Sequence, residues 1–244
     1  MAKSVAFVAG AGAEHGLGAA VARAFAKGGH HVVVTGRTPE KVEAVAAAIR
    51  AGGASAEAAT LDVTSEGNVA AVFADLERRH PGALDAVIYN AGDNRPAPFR
   101  ETTAQHFESF WRVGCFGGFL VGREAARILT PRGRGTILFT GASGSLRGKA
   151  NFAAFAAAKA GLRAVAQSMA RELGPQGVHV AHVIIDGVID GARIRNAWPG
   201  AIDRLGEDGM LNVDEIAANY WHLHTQPRSA WTQELDLRPY KEAW

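Results

Sequence analysis

Short apolar runs alternate with longer segments of helical spacing along most of the chain. SVAFVAG (4–10) is a continuous apolar run closed by glycine, the pattern of a strand buried on both faces. GLGAAVARAFAKGG (16–29) has helical spacing and ends on Gly28 and Gly29. HVVVTG (31–36) is a β-branched run. Thr38 followed by Pro39 reads as an N-cap and a first helical position, opening a helix to about Ala51. The same alternation predicts strands within 54–63 and at 84–92, 135–141, 178–186 and 231–238. It predicts helices at 64–80, 102–129, 152–173 and about 213–225. The helix at 102–129 is expected to be one long element, bent near Gly114 or Gly117, and 190–212 reads as irregular.

Strands alternating with helices imply a parallel sheet covered on both faces. Right-handed crossovers make that sheet doubly wound, and its ligands lie at the carboxyl ends of the strands. The expected fold is therefore α/β, with residues 1–244 as one domain. The residues just after the strands carry most of the functional information.

Composition narrows the function classes. Of 244 residues, 48% are apolar and 20% charged, which suits one soluble domain with a sizeable core. The net charge is only +2 and the basic residues are scattered, which argues against a nucleic-acid footprint. Cys115 is the single cysteine, so no internal disulfide exists. The nine histidines are dispersed without an H-E-x-x-H motif, and adjacent His30 and His31 would point apart on a strand. No metal site is expected. No apolar run reaches the roughly 18 residues of a membrane span. The N-terminal apolar run is short and flows into a glycine turn, so it reads as a buried strand rather than a signal peptide, and the expected compartment is the cytoplasm.

After the first strand comes GAGAEHGLG (10–18). Its glycines do not fit G-x-G-x-x-G, but Gly12, Gly16 and Gly18 fit G-x-x-x-G-x-G. Such glycines let the backbone turn tightly and approach a pyrophosphate at a helix N-terminus. His15 and Leu17 lie inside this turn. At the end of the second strand, where an NAD site tends to place a carboxylate for the ribose, the chain reads Gly36-Arg37. An arginine there suits a 2′-phosphate, so NADP is expected over NAD. Glu14 opposes that reading, and His15 offsets it.

The glycines at 12, 16 and 18, LDV at 61–63, NAG at 90–92 and Lys159 on the long helix together resemble the short-chain dehydrogenase/reductase family. The resemblance spans essentially the whole chain. It implies a Rossmann-like domain with a sheet of about seven strands and helices on both faces. It also implies NAD(P)H as cofactor and a homodimer or homotetramer built on the two long helices. By the same match Asp62 and Val63 contact adenine. Asn90, Ala91 and Gly92 lie beside the ribose, and Gly187 and Ile189 follow the sixth strand at the cofactor.

The family's catalytic Asn, Ser, Tyr and Lys map onto Gly114, Ala142, Phe155 and Lys159. Only the lysine remains. The family's threonine beyond the sixth strand maps onto Gly191. Phe155 neither donates nor accepts a proton, and general acid catalysis is worth roughly 10² to 10⁴ in rate. The candidate replacements are Ser143, with Ser145 two residues on, and Asp186 and Asp190 after the sixth strand. Tyr89, inside the fourth strand, reads as core. The expected function is NADP-dependent hydride transfer to an imine, an activated alkene or a carbonyl, through an atypical site. The alternatives are a cofactor-binding sensor or partner subunit without turnover, and a lyase or dehalogenase on the same fold. The substrate pocket is expected between Arg95–Phe99, Ser143–Ala150 and 190–212, with Trp198 in a lid and Arg147 and Lys149 close by.

Overall fold

The computed structural model describes residues 3–242. The chain runs β1 (Val5–Ala9), α1 (Leu17–Lys27), β2 (His31–Gly36), α2 (Pro39–Ala51), β3 (Ser55–Thr60), α3 (Glu66–Arg79) and β4 (Leu84–Tyr89). It continues through α4 (Ala104–Trp111), α5 (Gly117–Leu129), β5 (Thr136–Thr140), α6 (Ala153–Leu173) and β6 (His179–Ile185). Then come β7 (Ile189–Asp190), α7 (Ala192–Ala197), α8 (Ala201–Leu205), β8 (Leu211–Asn212), α9 (Val213–Thr225) and β9 (Glu234–Leu237).

Seven parallel strands form the main sheet, in the order β3-β2-β1-β4-β5-β6-β9. Alternate side chains enter two cores, because successive residues of a strand face opposite ways. Phe7, Val33 and Val87 pack with Phe73, Leu120 and Leu162 of α3, α5 and α6. Ala6, Val8 and Val34 pack with Phe25, Val45 and Tyr220 of α1, α2 and α9. The strand order reverses between β1 and β4, which opens a crevice at their carboxyl ends. Among the described residues no helix is long and apolar enough to cross a membrane.

One expectation is met and one needs correction. The long helix expected at 102–129 runs without a break from Ala104 to Leu129, and its irregularity is a π-helical turn at Arg112–Phe116, around Gly114, that joins α4 to α5. The wide turn exposes a backbone acceptor, and the Tyr89 hydroxyl donates to the Val113 carbonyl there. Glycine lets this turn approach its neighbours: a Cβ on Gly114 would come 2.7 Å from the Ala158 Cβ. The segment 190–212 is not irregular, since it carries α7, α8 and a two-stranded parallel pair, β7 with β8. Its elements are too short for a periodicity to show in sequence.

Candidate active site

The glycine turn is built by close backbone approach. Gly10 has φ +95°, and the amides of Gly10 and Ala11 both donate to the Thr35 carbonyl at 2.9 and 3.1 Å. A side chain on Gly18 would strike the Gly10 carbonyl and the Asn90 amide, whereas the space beside Gly12 is open. Gly16 precedes α1 as its N-cap, so the free amides of that helix end face the turn. Leu17 is buried beneath the turn, while His15 is exposed and accepts the Ala192 amide on its carbonyl at 3.1 Å. The segment expected to border the substrate thus rests on the glycine turn.

Arg37 stands exposed at the end of β2, with no side-chain hydrogen bond or ion pair among the described residues. A Cβ on its neighbour Gly36 would lie 4.0 Å from the Gly12 amide nitrogen, so the guanidinium is rooted beside the turn. The Asp62 carboxylate accepts from the Thr64 amide at 2.9 Å and the Thr64 hydroxyl at 2.7 Å, which shapes the bend after β3. Val63 is buried against Gly117. Asn90 donates to the Gly10 carbonyl at 2.8 Å, so its amide ties the end of β4 to the glycine turn. Ala91 packs under Gly10, and Gly92 lies beside Lys159, with 3.4 Å between a Cβ built on the glycine and Nζ. Gly187 and Ile189 sit at the opposite wall, where Gly187 touches Pro239 and Ile189 pairs with Leu211.

Lys159 is 5% exposed, and its Nζ donates to the Thr140 carbonyl at 2.7 Å. Burial pushes its pKa down to about 8, because an ammonium loses hydration there without gaining a carboxylate. One turn earlier, the Phe155 ring covers Gly144 and meets Phe152 edge-on at 6.3 Å. No hydroxyl stands at 142 or 155, and Gly114 leaves no room for a longer side chain.

The proposed substitutes fare differently. Ser143 makes no side-chain hydrogen bond among the described residues; its carbonyl accepts the Leu146 and Arg147 amides at 3.0 and 3.1 Å. Ser145 is the buried hydroxyl of this loop. It accepts the Ala142 amide at 3.2 Å and lies 3.3 Å from His182 Nε2. His182 Nδ1 lies 3.3 Å from Glu234 Oε2, and Arg163 grips Glu234 with bonds of 2.6 and 2.7 Å. Desolvation first, then Lys159, pushes the His182 pKa down to about 4 against the pull of Glu234. The ring is therefore neutral near pH 7. A carboxylate only accepts, so Nδ1 carries the proton and Nε2 accepts from Ser145. The Ser145 proton is held toward His182 and is not offered to a substrate.

Asp186, the candidate acid, sits between two arginines. It is 1% exposed, and Arg147 donates to both its oxygens at 3.0 Å while Arg238 adds a contact at 3.1 Å. Both carboxylate oxygens are thus engaged by guanidinium donors. Arg147, expected at the substrate, is the residue that holds it. Asp190 is likewise paired with Arg195 at 2.7 and 2.8 Å. Tyr89 is fully buried, and burial raises its hydroxyl pKa, in keeping with core.

Near the expected pocket borders, Ala97 donates its amide to the carbonyl of Asn151, just past the second range, at 2.8 Å, and Arg193 of α7 pairs with Asp93, just before the first, at 3.1 Å. The Arg204 guanidinium lies 5.6 Å over the Trp198 ring. His182, Glu234 and the Thr140–Tyr220 hydroxyl pair, 2.7 Å apart, were missed in the sequence. A histidine inside the buried run VHVAHVII was the one available signal.

Comparison with known proteins agrees with this geometry. The family model for short chain dehydrogenases matches residues 4–199. Gluconate 5-dehydrogenase of Gluconobacter oxydans (strain 621H) is 31% identical over 169 residues. That match covers 69% of this chain and 66% of the relative, just under two thirds of its length. A short-chain dehydrogenase from Rhodopseudomonas palustris is 40% identical, with a TM-score of 0.83 over 98% of this chain and 100% of its own. A metagenomic short-chain oxidoreductase solved in complex with NADP is 28% identical, with a TM-score of 0.82 over 97% of each chain. With the glycine turn, the reversed strand order and Lys159 in their places, the chain belongs to the short-chain dehydrogenase/reductase family.

Proposed function

We propose that the protein is an NADP-dependent oxidoreductase whose substrate needs little acid assistance, such as an imine, an activated alkene or an activated carbonyl. The observation that carries this reading is Lys159. It is a buried ammonium beside Gly92 and Thr140, with no tyrosine or serine hydroxyl at the family positions. The turn at Gly12, Gly16 and Gly18 suits a pyrophosphate, and unpartnered Arg37 suits a 2′-phosphate. The relative solved with NADP supports the same assignment. When bound, the cofactor supplies a hydride.

The chain's own residues must then supply the proton. Losing the tyrosine removes roughly 3 to 5 kcal/mol of transition-state stabilisation. With a pKa of about 8, Lys159 is charged at neutral pH and close enough to neutrality to donate. One of its three N–H groups is engaged by Thr140, which leaves the others for ribose and substrate. Asp186 and Ser145, fixed by Arg147 and His182, hold the walls and leave the proton to the lysine.

A second reading, a cofactor-binding sensor or partner subunit without turnover, is favoured by the loss of three of the four catalytic groups. Titration with NADPH and NADH, followed by NADPH oxidation assays on imines, activated alkenes and ketones, separates the two. Binding with turnover of the first two classes supports the enzyme. Binding without turnover of any supports the sensor. No binding of either cofactor overturns both.

We also propose self-association through α4 and α5. Trp111, Phe116 and Phe119 stack in a row along that surface, with ring separations of 5.5 and 6.3 Å, and Phe107 is exposed nearby.

A further inference from the structure

His30 and His31 diverge, and each enters a separate cluster at the amino-terminal edge of the sheet, opposite the candidate active site. His31 joins Glu57 and His80, and His30 joins Asp85 and His224. The two clusters differ in one decisive respect. In the first, Arg79 bonds directly to the Glu57 oxygen that faces both imidazoles, so a fixed cation already occupies the centre. In the second, Asp85 forms no ion pair with an arginine or lysine among the described residues; Arg134 acts on it only at a distance.

We propose that His30, Asp85 and His224 form a binding site for a divalent transition metal of the zinc class. His30 Nε2 lies 3.2 Å and His224 Nε2 3.6 Å from the same Asp85 oxygen, and the three atoms are mutually within 4.8 Å. Tetrahedral zinc with ligands at about 2.0–2.1 Å requires ligand atoms about 3.3 Å apart. The two measured edges straddle that value. The ligand chemistry, two imidazoles and one carboxylate, is of the kind zinc sites use.

The surroundings support the assignment. The other nitrogen of His224, Nδ1, lies 3.0 Å from the Thr136 hydroxyl, the kind of outer partner that orients a ligating imidazole. In the tautomer whose Nδ1 proton goes to Thr136, Nε2 presents its lone pair toward the Asp85 oxygen, where a bound cation would lie. His30 Nε2 faces Asp85, while its Nδ1 is buried with no hydrogen-bond partner among the described residues, so His30 lacks the outer partner that His224 has. Phe25 and Trp221 pack edge-on against His30 at 5.6 and 5.7 Å and fix its ring. Both imidazole side chains are largely buried, at 7% and 11% exposed, while Asp85 at 25% keeps the site open to solvent. The ligands come from the start of β2, the start of β4 and the end of α9, so a bound ion would clasp three elements distant in sequence.

The test is calorimetric titration of untagged, chelator-treated protein with Zn²⁺, repeated with Co²⁺ to read its visible absorption. The variants are His224→Gln, Asp85→Asn and, in the other cluster, His80→Gln, each first checked for a native circular-dichroism spectrum and a cooperative melt. The expected result is one equivalent bound by wild type and by His80→Gln, with at least tenfold weaker binding in His224→Gln and Asp85→Asn. Cobalt should give the intense visible bands of a four-coordinate site in wild type alone and in His80→Gln. Failure of wild type to bind overturns the proposal. So does undiminished binding in either His224→Gln or Asp85→Asn, or loss confined to His80→Gln.

Discussion

The Nζ of Lys159 donates to the carbonyl of Thr140 at 2.7 Å, and among the described residues this is the one hydrogen bond of an ammonium that burial has driven toward neutrality. The lysine sits on α6 and the threonine ends β5, so the contact pins the long helix to the carboxyl edge of the sheet. The energetic consequence is unfavourable. A folded pKa of about 8 against the usual 10.5 means that the unfolded chain binds the proton more tightly. Below pH 8 this costs the fold roughly 3 kcal/mol, and the cost fades as pH rises from 8 to 10.5. Lys159→Met should therefore be more stable than wild type in urea at pH 7, with the gap closing toward pH 10.5. A gap that stays constant with pH would contradict the burial argument.

Activity should report on the same group. If Lys159 donates the proton, turnover falls as pH rises through about 8, and Lys159→Met loses hydride transfer while its melt stays cooperative.

Restoring the missing hydroxyls should broaden the chemistry. Phe155→Tyr together with Ala142→Ser places a phenol one turn before Lys159 and a hydroxyl on the loop after β5. Ketone reduction is expected to rise by roughly 10² to 10⁴. Gly114 is left unchanged, since a Cβ there would meet Ala158 at 2.7 Å. No gain in a folded double variant would mean that the loss of acid catalysis is not what limits this site.

Arg37→Ala should weaken NADPH by roughly tenfold or more and leave NADH unchanged, because only NADPH carries the 2′-phosphate. Equal weakening of both in a titration would assign the guanidinium to something other than that phosphate.

His182 makes the fold acid-sensitive. Its pKa is held at about 4 against the usual 6.5, so the unfolded chain takes up a proton first as pH falls. Stability is lost between pH 6.5 and 4, by roughly 3 kcal/mol from this residue. His179 and His224 are lowered too, so the contribution is read as a difference. His182→Gln should show a shallower acid loss than wild type in urea midpoints, and parallel curves would rule the effect out.

Self-association should weaken when the aromatic row is charged. Phe119→Glu is expected to shift sedimentation toward the monomer if a second copy covers that surface.

Much of this was legible in the chain. Continuous apolar runs such as SVAFVAG and VHVAHVII specify strands buried on both faces, and the helical stripes between them specify a parallel sheet. The glycines at 12, 16 and 18 and the lone Lys159 are local signals, because the backbone geometry and the helix position that make them useful are set within a few residues. Partnerships across the fold were not legible. That Asp186 is neutralised by Arg147 and Arg238, or that Ser145 lies on His182 and Glu234, depends on which side chains the sheet order brings together. The same holds for Asp85 between His30 and His224, which no spacing along the chain connects. Periodicity records which face a residue takes. Electrostatic pairing depends on distance in three dimensions, and only the packed sheet sets that distance.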